Sequence, residues 1–415
     1  MRPVTHHQLK PYYLALELLN ALSTTLYSYY LFFYMQARFN YGDFGNLGLS
    51  ALTGGIYTVC AWQAGKFAQR RGYLHSLDLG ILIMSLAMAI AATLDTLGVP
   101  WNAAVAHIAV LAGWTVGMGF TWASLEALVS DHEPPHRLPR LVGIYNVVWA
   151  GGGALAYFIG GALLEKLGAR SMFLVPLLLH LIQLAILRRV FPLARIATAE
   201  IPAREPEVRP AQLQPRPDQQ RARWFLKLAW FANPFAYMAI SALVPVIPGL
   251  AKRHELSPMW AGFFCSIWFF ARLGAFALLW VWPNWHYRLR WFIGAFVLLI
   301  ASYAVILVSP VLWPVLIAQL GFGLGVGLIY YSSLYYSMDA GDTKGVHGGV
   351  HEAAIGAGIC AGPTIGALAL WLLPGSPQAG TCAVSIALTL GLVGVLGAST
   401  RGPSALQHPK PNESP

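Results

Sequence analysis

The sequence predicts an all-α integral membrane protein: twelve transmembrane helices arranged as two parallel six-helix repeats. Three observations predict it. The 415 residues are 57% hydrophobic and only 11% charged, with a mean hydropathy of +0.56; soluble domains carry about 25% charged residues. Apolar runs of about 20 residues, the length that crosses a bilayer, follow one another along the whole chain. The glycine pattern of the first half returns in the second.

The repeat centres on Gln319 to Leu368, where two apolar runs flank a short acidic, glycine-rich turn. The first run carries Gly321, Gly323, Gly325 and Gly327; the second carries Gly356, Gly358, Gly362 and Gly366. Small residues at this density let helix backbones approach closely inside lipid. Shifted by 206 positions, Gly143 falls on Gly349, Asn146 on Glu352, Gly152 on Gly358 and Gly160 on Gly366. Shifted by 208, Gly117 falls on Gly325, Gly119 on Gly327, Ser124 on Ser332 and Asp131 on Asp339. The offset is close to half the chain. It describes one unit present twice in the same order, as in transporters built from six-helix halves. Gly152, Gly160, Gly358, Gly362, Pro363 and Gly366 are therefore read as helix-packing positions.

In chain order, Met1 to Lys10 is polar and basic and contains no removable signal peptide. The spans fall near 12–35, 44–67, 75–95, 104–130, 141–164, 171–190, 224–250, 259–282, 291–309, 311–336, 349–373 and 380–399. Ser309-Pro310 reads as a tight turn between the ninth and tenth. Phe191 to Arg223 is rich in proline, arginine, glutamate and glutamine, with no apolar period, and reads as a flexible or extended linker. This divides the chain into a bundle at 1–190, a linker at 191–223, a bundle at 224–400 and a disordered tail at 401–415. Basic residues gather in the linker, at the N-terminus and in the loops on the same side. By the positive-inside rule that side, with both termini, is cytoplasmic.

Charges inside the spans mark candidate sites, because each is costly in hydrocarbon. Arg272, in "IWFFARLGAF", lies near the middle of the eighth span. It is read as a group for an anionic substrate or a coupling carboxylate, the alternative being a structural ion pair. On the first span Glu17, Asn20, Thr24, Tyr27 and Tyr34 recur at helical spacing and form a polar-aromatic stripe. That stripe suits either a cavity wall or bundle packing with Glu17 near the headgroups. A protonatable Glu17 makes a proton the candidate coupling ion. Trp122, Trp268 and Tyr330 are deep enough to line a cavity, whereas Tyr335 and Tyr336 suit an interface or packing.

Other classes find no support. The +10 net charge is spread over loops rather than gathered on one face, so nucleic acid is not an expected partner. No phosphate-cradling glycine loop with lysine is present, which argues against ATP as the energy source. The His351-Glu352 and His132-Glu133 dyads lack metal-site spacing, and the four cysteines lie in apolar runs with no disulfide framework. No enzyme site, cofactor or metal is expected.

The chain resembles the major facilitator superfamily of transporters, and drug or metabolite:proton antiporters within it. The resemblance runs from Tyr12 to Thr400. The family's loop motif G-x-L-A-D-R-x-G-R-K is matched at Gly65, Ala68, Arg70 and Gly72, with Gln69 in place of the aspartate and Tyr73-Leu74 in place of the distal basic pair. A glycine-proline helix motif appears as Gly358, Gly362, Pro363 and Gly366, in span eleven rather than span five. Gly113 stands where proton-coupled antiporters carry an arginine.

The resemblance implies ion-coupled secondary transport of a small organic solute by alternating access. It implies a monomer, multi-pass in the plasma membrane (the inner membrane of a bacterium). It further implies a cytoplasmic gate, in which Arg70 pairs with Asp131 or Glu126 and Gln69 bonds the start of span eleven. Glu126, Asp131, Asp339 and Glu352 are read as gate residues, with Glu352 in the first turn of span eleven. The alternative function is a non-transporting sensor or assembly factor on the same fold.

Overall fold

The computed structural model describes residues 6–97, 103–131, 137–199, 217–339 and 344–400. The helices are α1 (His6–Phe39), α2 (Asp43–Arg71), α3 (Tyr73–Leu97), α4 (Ala103–Ser130), α5 (Leu138–Leu167) and α6 (Ser171–Ala199). They continue with α7 (Pro217–Leu243), α8 (Ile247–Arg253), α9 (Pro258–Cys265), α10 (Ile267–Val281), α11 (Leu289–Val308), α12 (Leu312–Asp339), α13 (Lys344–Leu372) and α14 (Ala379–Thr400). Two spans are interrupted. The seventh is α7 and α8 joined by a 3₁₀ turn at Val244–Val246, where Pro245 and Pro248 cannot donate to the ladder. The eighth is α9 and α10, broken at Ser266, whose hydroxyl donates back to the Phe263 carbonyl.

Twelve spans therefore form, within a few residues of the expected limits. The Ser309 turn is present, with its hydroxyl oxygen bonded at Val311. The stretch 191–223 differs from expectation. α6 runs through Pro192 to Ala199 and α7 begins at Pro217, so both ends of the linker are helical. The tail beyond Thr400 lies outside the described residues.

Among the described residues, ten helical segments are long and apolar enough to cross a membrane by length and composition alone. α1 and α2 are not among them because they carry more polar residues, several of which face protein. Glu17, Asn20, Ser23, Asn46 and Ser50 are buried, while apolar residues such as Leu18 and Leu52 are exposed.

The two halves pack by the same rules. Gly117 of α4 sits against the Gly80 carbonyl of α3, and Gly325 of α12 against the Ala295 carbonyl of α11. Gly152 and Gly160 of α5 pack on α1, at Leu18 and Tyr30. Gly358 and Gly362 of α13 pack on α7, at Pro234 and Met238. Gly366 faces Leu47 of α2 instead.

Between the halves, α2 packs on α13, and α5 packs on α9 and α10. Each of these seams is the image of the other under the repeat. Both depend on close backbone approach, at Gly54 against Ile359 and Cys360, and at Gly161 against Pro258 and Met259. Two hydrogen bonds tie the halves at the end away from the linker. Ser50 donates to the Ser241 carbonyl at 3.1 Å, and the Met259 amide donates to Glu165 at 3.1 Å.

Candidate functional site

A cavity of about 150 Å³ lies between the halves, a volume able to hold a benzene-sized body. Every helix that frames it contributes from one face. α1 supplies Thr24, Ser28 and Tyr29; α2 supplies Ser50, Thr53 and Tyr57; α4 and α5 supply Trp122, Tyr145 and Trp149. The second half supplies Tyr237 and Ser241 from α7, Phe269 and Arg272 from α10, Tyr330 from α12, and Glu352 from α13. Gly153 keeps α5 close to the wall: a methyl group there would touch Thr25 Oγ1 at 3.4 Å and the Phe269 ring at 3.6 Å.

Arg272 is 4% exposed. Its guanidinium carbon lies 4.5 Å from the Trp149 ring centre, 5.0 Å from Phe269 and 5.1 Å from Trp268. Ring faces hold a guanidinium electrostatically without neutralising it. Its Nε has no hydrogen-bond partner, and among the described residues Arg272 belongs to no ion pair. The structural ion pair weighed from sequence is thus not formed. The rings continue as a stack across the halves. Trp149 lies 5.0 Å from Tyr330 at 28° and 5.7 Å from Phe276 at 22°, with Trp122 edge-on at 6.1 Å.

Glu352 does not sit where its spacing suggested. α13 begins at Lys344, not near 349, so Glu352 lies eight residues in, about 12 Å along the helix. There it is buried, lines the cavity, and accepts the Tyr57 hydroxyl from the other half. The first-turn placement is corrected accordingly.

Of the predicted cavity residues, Thr24, Trp122, Tyr330 and Arg272 reach the wall together. Glu17, Asn20, Tyr27 and Trp268 are fully buried but stand behind it. Tyr27 packs edge-on against Trp114, and Trp268 lies under Phe269 and Phe322. Tyr34 leaves the stripe: its hydroxyl donates to Asp95 at 3.1 Å and lies 3.1 Å from His107 Nε2. Glu17 is fully buried in the bundle. The Tyr145 hydroxyl is its polar neighbour, and the amide atoms of Asn20 have no hydrogen-bond partner among the described residues.

The ion pair expected of Arg70 is not formed among the described residues. Gln69, Arg70 and Asp131 are exposed and Glu126 is half-buried. Arg70 makes no ion pair among the described residues, with Asp131, Glu126 or any other group. The side chain of Asp339 lies outside the described residues. Gly65 faces open space, and Gly72 closes α2 at φ +91°, a conformation that favours glycine, with its amide donating to Ala68. The end of α4 is held instead by Lys10, buried, whose ammonium donates to the carbonyls of Leu128, Val129 and Asp131 at 3.0, 2.9 and 2.5 Å.

Sequence reasoning missed Tyr29, Tyr57, Tyr145, Trp149 and Tyr237 as wall residues. Single tyrosines carry no local pattern. Their convergence exists only in the fold.

No curated protein matches the sequence. Solved structures match over nearly the full length. The human organic anion transporter MFSD10 (TETRAN) aligns with a TM-score of 0.65 at 16% identity, covering 95% of this chain and 99% of that one. A bacterial homolog of the human lysosomal transporter Spinster, in an inward-facing and occupied conformation, aligns at 0.66 and 15% identity, covering 98% and 99%. Both likenesses concern the fold. The sequence itself matches the profile of the Major Facilitator Superfamily in two overlapping stretches, residues 2–156 and 79–363. The chain is thus a multi-pass membrane transporter belonging to the Major Facilitator Superfamily.

Proposed function

We propose that this transporter moves a small organic anion by alternating access, with Arg272 as the group that binds the anion. The observation carrying this reading is an unpaired arginine on the wall of a central cavity between the halves. Leaving a cation at that depth costs roughly 2.5–3.5 kcal/mol on insertion scales. An anionic solute recovers part of that cost, so the arginine favours the loaded cavity. The ring faces of Trp149 and Tyr330 offer an apolar, planar body a stacking surface. A 150 Å³ cavity limits that body to about one ring without rearrangement. MFSD10 carries the name of an organic anion transporter; at 16% identity that name is no part of the argument, which rests on Arg272.

Coupling to a proton is proposed at Glu17, a buried carboxylate without a cation partner among the described residues. The linker and both termini are proposed to be cytoplasmic, and the protein to act as a monomer.

Purified protein reconstituted in liposomes tests the proposal by counterflow of a labelled benzoate-sized anion. Wild type exchanges the anion and Arg272→Gln does not, at equal expression and monodispersity. Normal exchange by Arg272→Gln would remove the arginine from the pathway. Absence of any exchange, together with a co-purifying fixed partner, would favour a sensor or assembly role.

A further inference from the structure

The wall of the cavity carries a guanidinium and a carboxyl group that do not meet. Arg272 stands on α10 among ring faces. Glu352 stands on α13 with the Tyr57 hydroxyl as its partner. No ion pair joins the two, and neither pairs with another charge among the described residues. Tyr237, also on the wall, lies within electrostatic reach of both.

A cavity built only for an anion would gain nothing from a carboxylate on its wall. A like charge there repels the solute, and in low dielectric that repulsion is poorly screened. The arrangement fits a solute bearing both signs. We propose that the transported solute is a zwitterion. Its anionic group meets Arg272, its ammonium meets Glu352 beside Tyr57, and a short planar or alkyl body bridges them along Tyr237, Tyr330 and Trp149. This rests on the anion reading of Arg272 and adds a second, cationic contact to it. A zwitterion answers both wall groups and adds no net charge to the loaded protein. Because Arg272 and Glu352 stand on different helices and form no ion pair, the solute's charges belong at opposite ends of its body rather than on adjacent atoms.

Three matched probes test the proposal on the full-length protein in detergent: 4-methylbenzoate, 4-(aminomethyl)benzoate and 4-methylbenzylammonium. They share a para-substituted benzene ring and differ in which charged groups it carries, a methyl group standing where one is absent. Binding is read from the rise in melting midpoint with concentration, which a ligand of the folded state produces by mass action. The zwitterion is expected to bind wild type at least tenfold more tightly than the anion, and the cation most weakly. Glu352→Gln should bring the zwitterion down to the level of the anion, while Glu352→Asp keeps part of the preference. Arg272→Gln should abolish binding of the anion.

Equal binding of anion and zwitterion, both lost in Arg272→Gln, would overturn the cationic contact and leave the anion reading standing. Zwitterion binding that is indifferent to Arg272→Gln would overturn the anion reading, and this proposal with it. A zwitterion that does not bind wild type at millimolar concentration would also overturn the proposal. The wild-type ranking decides the matter even where Glu352→Gln does not fold.

Discussion

A methyl group added at Gly54 should change which way this protein faces. Gly54 lies on α2 against α13, across the seam between the halves. A Cβ there would stand 2.5 Å from the Ile359 carbonyl carbon and 2.6 Å from the Cys360 Cα. Both are backbone atoms, so no rotamer change relieves the clash. Carbon pairs settle at about 3.5–4.0 Å, and the two helices must part by roughly 1 Å to reach that spacing. Overpacking of this kind costs about 1–3 kcal/mol. In a rocking mechanism contacts across the seam are made in one arrangement and relaxed in the other, so the cost falls on this arrangement alone. That is a 5- to 150-fold change in the population ratio.

Gly358→Ala is the control. Its Cβ would stand 2.8 Å from Tyr237 Cβ and 3.0 Å from the Pro234 carbonyl carbon, but α13 and α7 belong to the same half and move together. It should lower the melting midpoint without redistributing states. Spin labels at exposed Phe44 and Trp371, with the native cysteines replaced, report the separation of α2 and α13 at the end away from the linker. Gly54→Ala should add a longer-distance population that wild type and Gly358→Ala lack. An unchanged distribution in Gly54→Ala, or the same shift in Gly358→Ala, would refute the reasoning.

Four further outcomes are expected. Arg272→Lys keeps the charge but loses the planar fork, so anion affinity measured by midpoint shift should fall while expression stays normal. Glu17→Gln should abolish uptake driven by a proton gradient and spare counterflow; loss of both in a monodisperse protein would place Glu17 in binding instead. Lys10→Met removes three bonds from an ammonium to carbonyls at the end of α4. At about 1.5–3 kcal/mol for a hydrogen bond to a charged group, the midpoint should drop clearly with exchange per folded molecule unchanged. Single cysteines at Ala199 and Gln407 should resist an impermeant reagent in intact cells, and labelling of either from outside would reverse the proposed topology.

The spans and the repeat were legible because both rest on short-range requirements. A span needs about 20 apolar residues, and a close crossing needs a small residue at each turn. The spacing of Gly117 and Gly325, and of Gly152 and Gly358, therefore reports contacts formed far away in sequence. Arg272 was legible because its cost in hydrocarbon does not depend on neighbours. Glu352 was not, since glycine and histidine near 345–351 resemble a loop and hid five residues of helix. The break at Ser266 was invisible for the converse reason: a single back-bonding serine interrupts a run with no proline. The gate contact inferred for Arg70 came from a motif, and the motif's missing aspartate at Gln69 removes the charge that would fix the loop. The wall tyrosines needed the fold itself.

The bed of rings around Arg272 has a consequence for selectivity by hydration. Trp149, Phe269 and Trp268 turn faces, not donors, toward the guanidinium, so an arriving anion surrenders its water and receives only the fork in exchange. Guanidinium is itself weakly hydrated. Such a pocket ranks anions by the ease of stripping their shells, favouring large, charge-diffuse species over compact ones such as fluoride or sulfate. Chloride would then pay a dehydration penalty that a delocalised carboxylate escapes, so anion binding at Arg272 should tolerate millimolar chloride.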